Sequence, residues 1–414
     1  MTDYRDIVIA GGGMVGISLA LALGRRLPES VSILLVEKFA LPGPDAETAY
    51  HPSFDARSTA LSFSSRLVYQ GIGVWRQLEA WLCAIERVHV SSRGRFGSTV
   101  LHAADHDWPA LGYVVENPWL GSALARALYA QGRVEVASPA QVVGAQPRGA
   151  GMRLQLDEQG GRELDAGLLV VADGAHSPLC EALGVGAKTR PYEQHALVAN
   201  VATDRAHEGC AFERFTDEGP LAMLPLLAAP GADHRSALVW TLPGERAEQL
   251  ASCDPREFLD SLQKRFGYRL GRLHQVGQRY TYPLALVQSA EQVRQGFVAV
   301  GNAAHALHPV AGQGFNLALR DIAELAAVLA QGVAAGRAIG DLSVLEQYRR
   351  RQRRDQARTI VFSDRVPGLF MHRDPLLGIA RDLALSGLDL LPGVKREFAR
   401  QTAGVAALRA RSSG

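Results

Sequence analysis

The stretch Asp6-Ile7-Val8-Ile9-Ala10 is a short, mostly apolar run that breaks at Gly11-Gly12-Gly13. Residues 14–27 then carry the spacing of a helix, with Gly and Ala on the side facing the preceding run. Residues 31–36 form a second apolar run, closed by Glu37. A strand, a glycine turn, a helix and a strand in that order make a βαβ unit. Residues 40–56 are rich in Pro, Gly, Ala and Asp and read as a loop. Hydrophobic periodicity predicts helices at 58–70, 74–81 and 119–131, and alternation predicts strands within 86–101, 133–156 and 162–172. Further strand-like segments fill 185–285, with a Pro/Gly-rich insertion at 228–233 and a helix at 255–266. Phe297-Val298-Ala299-Val300 is another buried strand running into a Gly/His/Pro loop. A long Ala/Leu-rich helix covers 314–333, and the chain stays helical and Arg-rich to about 408.

The first break has chemistry in it. Gly11-Gly12-Gly13-Met14-Val15-Gly16 fits G-x-G-x-x-G between a strand and a helix. Gly11 allows a sharp turn off the strand, Gly13 leaves room for a pyrophosphate at the backbone, and Gly16 lets the helix lie against the strand. The helix start offers unpaired N–H groups and partial positive charge to the phosphates. Glu37 follows Gly16 by 21 residues and ends the second strand, where a carboxylate accepts from a ribose 2′-hydroxyl and repels a 2′-phosphate. The expected ligand is FAD or NAD, not NADP. A glycine-rich turn in some other α/β protein is the competing explanation, and the full context disfavours it.

Composition narrows the class. The 414 residues are 47% hydrophobic and 21% charged, so a largely disordered chain is excluded. A net charge of +2 carries no whole-chain signature of nucleic-acid binding. The four cysteines, Cys83, Cys180, Cys210 and Cys253, lie far apart, which argues against a disulfide framework, a zinc site or a dithiol centre. The N-terminus lacks the pattern of a signal peptide, and no apolar window is long enough to span a bilayer. The expected compartment is a reducing cytoplasm, with peripheral contact at the inner face of a membrane left open.

Two later segments add to the glycine turn. Residues 168–177 read LLVVADGAHS, and residues 297–320 read FVAVGNAAHALHPVAGQGFNLALR. With these three signatures in order, the chain resembles the flavin-dependent aromatic hydroxylases of the para-hydroxybenzoate hydroxylase fold, over roughly residues 3 to 365. The segments FDARSTALS, GYVVEN, FERFTDEGPLAMLP and HPVAGQGFNLALRD resemble the ubiquinone-biosynthesis branch. Within it they most resemble the 2-polyprenyl-6-methoxyphenol hydroxylases.

The resemblance implies FAD as cofactor and NAD(P)H as co-substrate. It implies transfer of oxygen from O2 to a polyprenylated phenol, giving the 1,4-benzoquinol. It assigns cofactor contacts to Gly11, Gly13, Gly16, Glu37, Arg57, Asp173, Asn302, Gly312 and Gly314. It implies that the catalytic positions are Pro309, Gly312, Gln313 and Gly314, in a loop between flavin and substrate, with no acid or base assigned. Backbone N–H groups at the helix start would stabilise negative charge on reduced flavin. Where the general family has Asp, this chain has Asn302. An amide oxygen accepts the same ribityl hydrogen bond, and the competing explanation is a weakened flavin site. The GNAA spelling is typical of the 6-methoxyphenol branch. His305 and His308 have the spacing of metal ligands but no third ligand nearby in sequence, so orienting the loop is the expected role and no metal is expected.

The implied fold class is α/β. A discontinuous Rossmann-like FAD-binding domain (1–75, 100–180 and 280–345) carries an inserted β-sheet substrate domain (76–99 and 181–279), followed by a helical C-terminal region (346–414). Met223, Leu224 and Pro225 are expected as apolar wall for a greasy ring. The run RRRQRRDQAR at 349–358 reads as a solvated helix face or as contact with anionic lipid or a partner complex. An apolar stripe at 376–391 predicts a helix packed on the core, or one lying in a membrane interface. Two rival functions stay open: a sister hydroxylase acting at another ring position, and a non-catalytic flavoprotein scaffold.

Overall fold

Strand Asp3–Ala10 sends Ile7 and Ile9 to one side and Val8 and Ala10 to the other, and all four are buried. Successive strand side chains alternate, so a strand apolar at every position must be covered on both faces. The computed structural model, which describes residues 3–43, 50–94, 97–158, 161–307, 312–371 and 392–405, shows that arrangement. An eight-stranded sheet has the order Val293–Arg294, Phe297–Ala299, Arg162–Val171, Asp3–Ala10, Ile33–Val36, Glu135–Ala137. From Phe297–Ala299 onward these strands run parallel. On the Ile7 and Ile9 face, helices Met14–Arg26, Asn117–Gln131 and Gln313–Ala334 bury Leu19, Leu23, Leu120, Leu124 and Leu325. On the Val8 face, the hairpin of strands Gln141–Arg148 and Gly151–Asp157 packs together with Leu179 and Leu183. Each fully buried leucine contributes roughly 1.5–3 kcal/mol.

A second, nine-stranded sheet centres on the long strand Ala187–Thr203, flanked by Tyr280–Ser289 and Arg235–Pro243. Strands Pro220–Leu226, Cys210–Phe215, Arg87–Ser92 and Ser98–His102 continue it. One face packs Leu221, Met223, Leu238 and Trp240 on helices Gly244–Ser252 and Pro255–Phe266. The other turns toward the cofactor domain. There Ala211, Leu226 and Ala237 meet Cys83, Ile85 and Val114 of a three-stranded sheet built from Ser58–Ser62, Gly112–Glu116 and Leu82–Ile85.

The structure departs from the sequence expectation in places. Residues 58–62 are a strand, paired with Gly112–Glu116, and the helix begins only at Phe63, where the Ser62 hydroxyl caps the Ser65 N–H. The helix Gly244–Ser252 is additional to the one expected at 255–266. Sheet membership also moves the domain boundaries. Residues 75–85 pack with the cofactor domain, with Trp75 and Leu78 in its core, so the first crossing falls at Arg87 and not at 76. Ser98–His102 still belongs to the large sheet. Tyr280–Ser289 pairs with Ala187–Thr203, so the cofactor sheet resumes at Val293 and not at 280. The crossings fall in the short links between consecutive strands that belong to different sheets, which composition does not mark.

Helix Leu342–Met371 docks on Gln313–Ala334 through polar contacts. Arg320 meets Asp355 at 2.7 Å, Arg351 meets Glu324 at 3.1 Å, and Gln352 and Gln356 both donate to the buried Asp321. The arginine run therefore splits: Arg351 and its neighbour Asp355 hold the helix in place, whereas Arg350, Arg353, Arg354 and Arg358 are exposed. Helix Pro392–Thr402 follows, with Ala399 buried against Leu101 and Leu111. The stripe at 376–391 lies outside the described residues. Among the described residues no helix is long and apolar enough to cross a membrane.

Candidate functional site

Adjacent parallel strands bring the sequence signatures together at their carboxyl ends. In sheet order these ends lead to Gly301-Asn302, Asp173-Gly174, Gly11-Gly12-Gly13 and Glu37. The ends are tied edge to edge: Val300 N–H donates to Val171, Ala172 N–H to Ala10, and Gly11 N–H to Val36, each at 2.8–2.9 Å. Ligands of open α/β sheets bind at this edge.

The glycine turn is tight wherever tightness is required. Gly11 has φ +109°, and a Cβ there would come within 2.6 Å of the Ala172 carbonyl oxygen. A Cβ on Gly16 would collide with the Gly11 carbonyl oxygen. Gly13 differs: a Cβ on it would meet nothing within 4 Å. Open space in front of Gly13, at the start of helix Met14–Arg26, is what a pyrophosphate needs, and the cradle fits the adenosine half of FAD. Glu37 closes the turn by accepting from the N–H of Gly12 at 2.5 Å and of Phe39 at 3.0 Å. The carboxylate is thereby fixed beside the glycines with lone pairs left for a ribose.

Asp173 accepts from the Ser177 hydroxyl at 2.8 Å, and that hydroxyl also caps the Pro178–Ala182 helix at the Cys180 N–H. The loop below the cradle is thus ordered from within. Gly301 takes φ +61° and packs on Val15, while Asn302 is exposed at the strand end. Arg57 is also exposed. Its guanidinium donates to the Tyr282 hydroxyl at 2.9 Å and lies 5.9 Å from the centre of the Tyr280 ring. Its observed partners therefore belong to the substrate sheet and not to the glycine turn.

Gly312 has φ +60° and starts helix Gln313–Ala334. A Cβ on it would touch Ala60 at 3.4 Å, and one on Gly314 would find only Leu307 at 3.9 Å. The Gln313 side chain is buried and donates to the Thr402 carbonyl at 3.1 Å, so only its backbone is offered to a ligand. Pro309, with His308, Val310 and Ala311, lies outside the described residues.

Asn316 was not singled out from sequence, yet it holds this corner. Its amide donates to the carbonyls of Ala60 at 2.9 Å and Gly312 at 2.7 Å. Its oxygen accepts from the Ser62 N–H at 2.8 Å and the Ser65 hydroxyl at 2.6 Å. One turn on, Asp321 is buried, and desolvation pushes its carboxyl up to about 7. The free Oδ2 faces His305 Nε2 at 3.9 Å, and burial pushes that imidazole down to about 4. A second buried group missed from sequence is Arg235. It donates to Glu116 and to the carbonyls of Ser53 and Leu227, while the Tyr50 hydroxyl also donates to Glu116. This cluster ties the 50–57 loop to both domains.

Facing this corner, one cross-strand row of the large sheet reads Val90, Glu213, Ala222, Val239, Val198, Tyr280. Asn200, on the same face, donates to the Phe54 and Ala56 carbonyls. Glu213 keeps part of its surface open, but its carboxyl is desolvated and pushed up to about 7. The expected wall of Met223, Leu224 and Pro225 is corrected. Met223 points into the helix-covered face and Pro225 shares that side by alternation, leaving Leu224 toward the cofactor domain.

Comparison with known proteins agrees with this geometry. Residues 4–363 match the family described as FAD binding domain. The chain is 32% identical over 400 residues to ubiquinone hydroxylase UbiL of Rhodospirillum rubrum, covering 96% of this chain and 89% of that protein. It is 30% identical to the 3-demethoxyubiquinol 3-hydroxylase of Escherichia coli, covering 97% and 98%. Its fold is shared with p-nitrophenol 4-monooxygenase PnpA of Pseudomonas putida, with a TM-score of 0.75, 17% identity, and coverage of 98% and 99%.

Proposed function

The chain belongs to the family of FAD-dependent monooxygenases of ubiquinone biosynthesis, and from that premise we propose that it hydroxylates a 2-polyprenyl-6-methoxyphenol to the 1,4-benzoquinol. FAD is its cofactor, and NAD(P)H is the reductant typical of the class. The observation that carries the reading is the alignment of four strand ends bearing Gly11-Gly13, Glu37, Asp173 and Gly301-Asn302 beneath a largely apolar sheet face.

When bound, FAD supplies the redox chemistry that activates O2. The chain's residues do the rest. In this reading Glu37 and the Gly11–Gly16 turn hold the adenosine half. Asn302 accepts from the ribityl chain, and the N–H groups at the start of Gln313–Ala334 stabilise negative charge on the ring. Ala222, Leu224, Val198 and Val239 offer apolar surface to the phenol ring and its tail and exclude water. Glu213 is the one acid in that row. A carboxyl titrating near neutrality there can accept a hydrogen bond from, or take a proton off, the phenol hydroxyl. Exposed Arg350, Arg353, Arg354 and Arg358 support peripheral docking on an anionic membrane or a partner complex, where such a substrate would be found.

A second reading is hydroxylation at another ring position, favoured by the 30% identity to the 3-demethoxyubiquinol 3-hydroxylase. Purified enzyme given NAD(P)H, O2 and either 2-polyprenyl-6-methoxyphenol or 3-demethoxyubiquinol, with products read by mass spectrometry, decides between them. Turnover of the first to the 1,4-quinol is expected. Turnover of only the second moves the reaction to the other ring position, and bound FAD with no NAD(P)H oxidation under either phenol leaves a scaffold flavoprotein.

A further inference from the structure

The large sheet has a second chemical feature on the face that carries Phe212 and Met223, away from Ala60 and Gly312. Register aligns Arg214, Ser91 and Ser98 in one cross-strand row. With Ser92, and with Arg269 from the turn after the Pro255–Phe266 helix, they line a concavity of about 340 Å³.

Among the described residues neither guanidinium is neutralised: Arg214 donates its Nε to the Arg265 carbonyl at 3.0 Å, and no carboxylate pairs with it or with Arg269. The acids of the adjoining turn are engaged elsewhere. Arg265 holds Asp217 at 2.7 Å and Glu218 at 2.9 Å, and Arg93 holds Asp217 at 3.4 Å. Burial, followed by the charges of Arg269 and Arg93, lowers the pKa of Arg214. His89, on the same side of its strand as Ser91, is pushed down by burial and by the same two arginines, Arg269 and Arg214. Among the described residues its buried Nδ1 has no hydrogen-bond partner. Two like charges brought together around hydroxyls, with no counter-charge, are destabilising for the fold alone. They become favourable once an anion sits between them.

We propose that this concavity binds a phosphate group, carried by a lipid headgroup or by a soluble phosphate ester. Two guanidiniums present forked N–H donors that match phosphate oxygens, and the serine hydroxyls can donate to the remaining ones. The volume leaves room for the substituent on the phosphate. Because the site lies on the opposite face from the cofactor cradle, it fills with FAD in place, whatever ring the enzyme hydroxylates.

The test uses the full-length holoprotein at low ionic strength. Inorganic phosphate and glycerol 3-phosphate are titrated by calorimetry. Co-sedimentation is measured with vesicles of phosphatidylcholine, alone or mixed with phosphatidylglycerol. Arg269→Gln, on an exposed turn, should weaken saturable binding by about tenfold or more with the flavin spectrum unchanged and the melting temperature not lowered. Arg214→Gln should do the same and serves as the second variant. Binding of the soluble phosphates without vesicle binding assigns an ester ligand. Sedimentation that requires phosphatidylglycerol and is competed by phosphate assigns a headgroup. Absence of saturable binding to every probe, or binding indifferent to both substitutions, overturns the proposal.

Discussion

Replacing Asn316 by leucine should loosen the corner where the Ser58–Ser62 strand, the Phe63–Gly71 helix and helix Gln313–Ala334 meet. The side chain is 1% exposed and makes four hydrogen bonds, three of them to backbone groups of Ala60, Ser62 and Gly312. At about 1 kcal/mol net for each bond, the loss is about 4 kcal/mol. The stranded Ser62 N–H and the two carbonyls push the cost upward, since leucine fills the volume but answers none of them. Against a total stability of about 5–15 kcal/mol that is a large fraction, and for a chain of this length it corresponds to a fall in melting temperature of about 5 °C. Ser65→Ala removes a single bond and should cost about 1 kcal/mol. The assay is thermal unfolding of apoprotein and holoprotein, with FAD affinity from flavin fluorescence. Because Gly312 is released at the same time, FAD should bind more weakly to Asn316→Leu than to Ser65→Ala. If Asn316→Leu melts within about 2 °C of the parent and binds FAD equally, the corner is not what holds the loop.

Glu37→Arg removes the acceptor for Gly12 and places a cation by the ribose, so FAD affinity should fall by roughly tenfold or more in a fluorescence titration. Asp321 binds a proton more tightly folded than unfolded, because burial raises its carboxyl to about 7 from 3.8. Its contribution is full at low pH and is lost as pH rises through that window, so unfolding free energy should decline on going from pH about 4 to 7. Asp321→Asn should flatten that decline in urea titrations and make the protein more stable at pH about 8, and an unchanged slope would assign the titration elsewhere. Gly314→Val meets only Leu307 within the protein, so melting should hardly change while FAD-dependent turnover is lost. A variant that keeps full turnover would show that the ring does not pass Gly314.

The cofactor cradle was legible because its signals are local. Three glycines after a strand, and an acid at the end of the next strand, fix geometry within one βαβ unit. The substrate side was not legible to the same degree. Whether Met223 or Leu224 faces the cavity depends on which strands flank 220–226 and in what register, and nothing within that segment states it. Residues 58–62 looked helical because Ser-Thr-Ala-Leu-Ser precedes a real helix. Strand pairing with 112–116, distant in sequence, decided otherwise. The polar residues on Gln313–Ala334 carried an unread signal. Gln313, Asn316, Arg320, Asp321 and Glu324 recur at helical spacing, all buried, and that stripe marks a face destined for a polar partner such as Gln352 and Gln356.

The contact between residues 402–404 and helix Gln313–Ala334 has a consequence for how the protein is made. Thr402 and Ala403 supply the carbonyls that receive the Gln313 side chain and the Ser64 N–H, and Gly404 sits against Ser64 and Arg320. A chain emerging from the ribosome has every strand partner of its glycine turn once strand Arg162–Val171 and Ala172 have followed. The Gly312 corner, which we propose faces the flavin ring, waits until residue 404 has been translated. In the proposed binding mode the adenosine end of FAD therefore has a seat before the isoalloxazine end does. Ribosome-bound chains stalled just short of the Pro392–Thr402 helix would hold the dinucleotide by one end only.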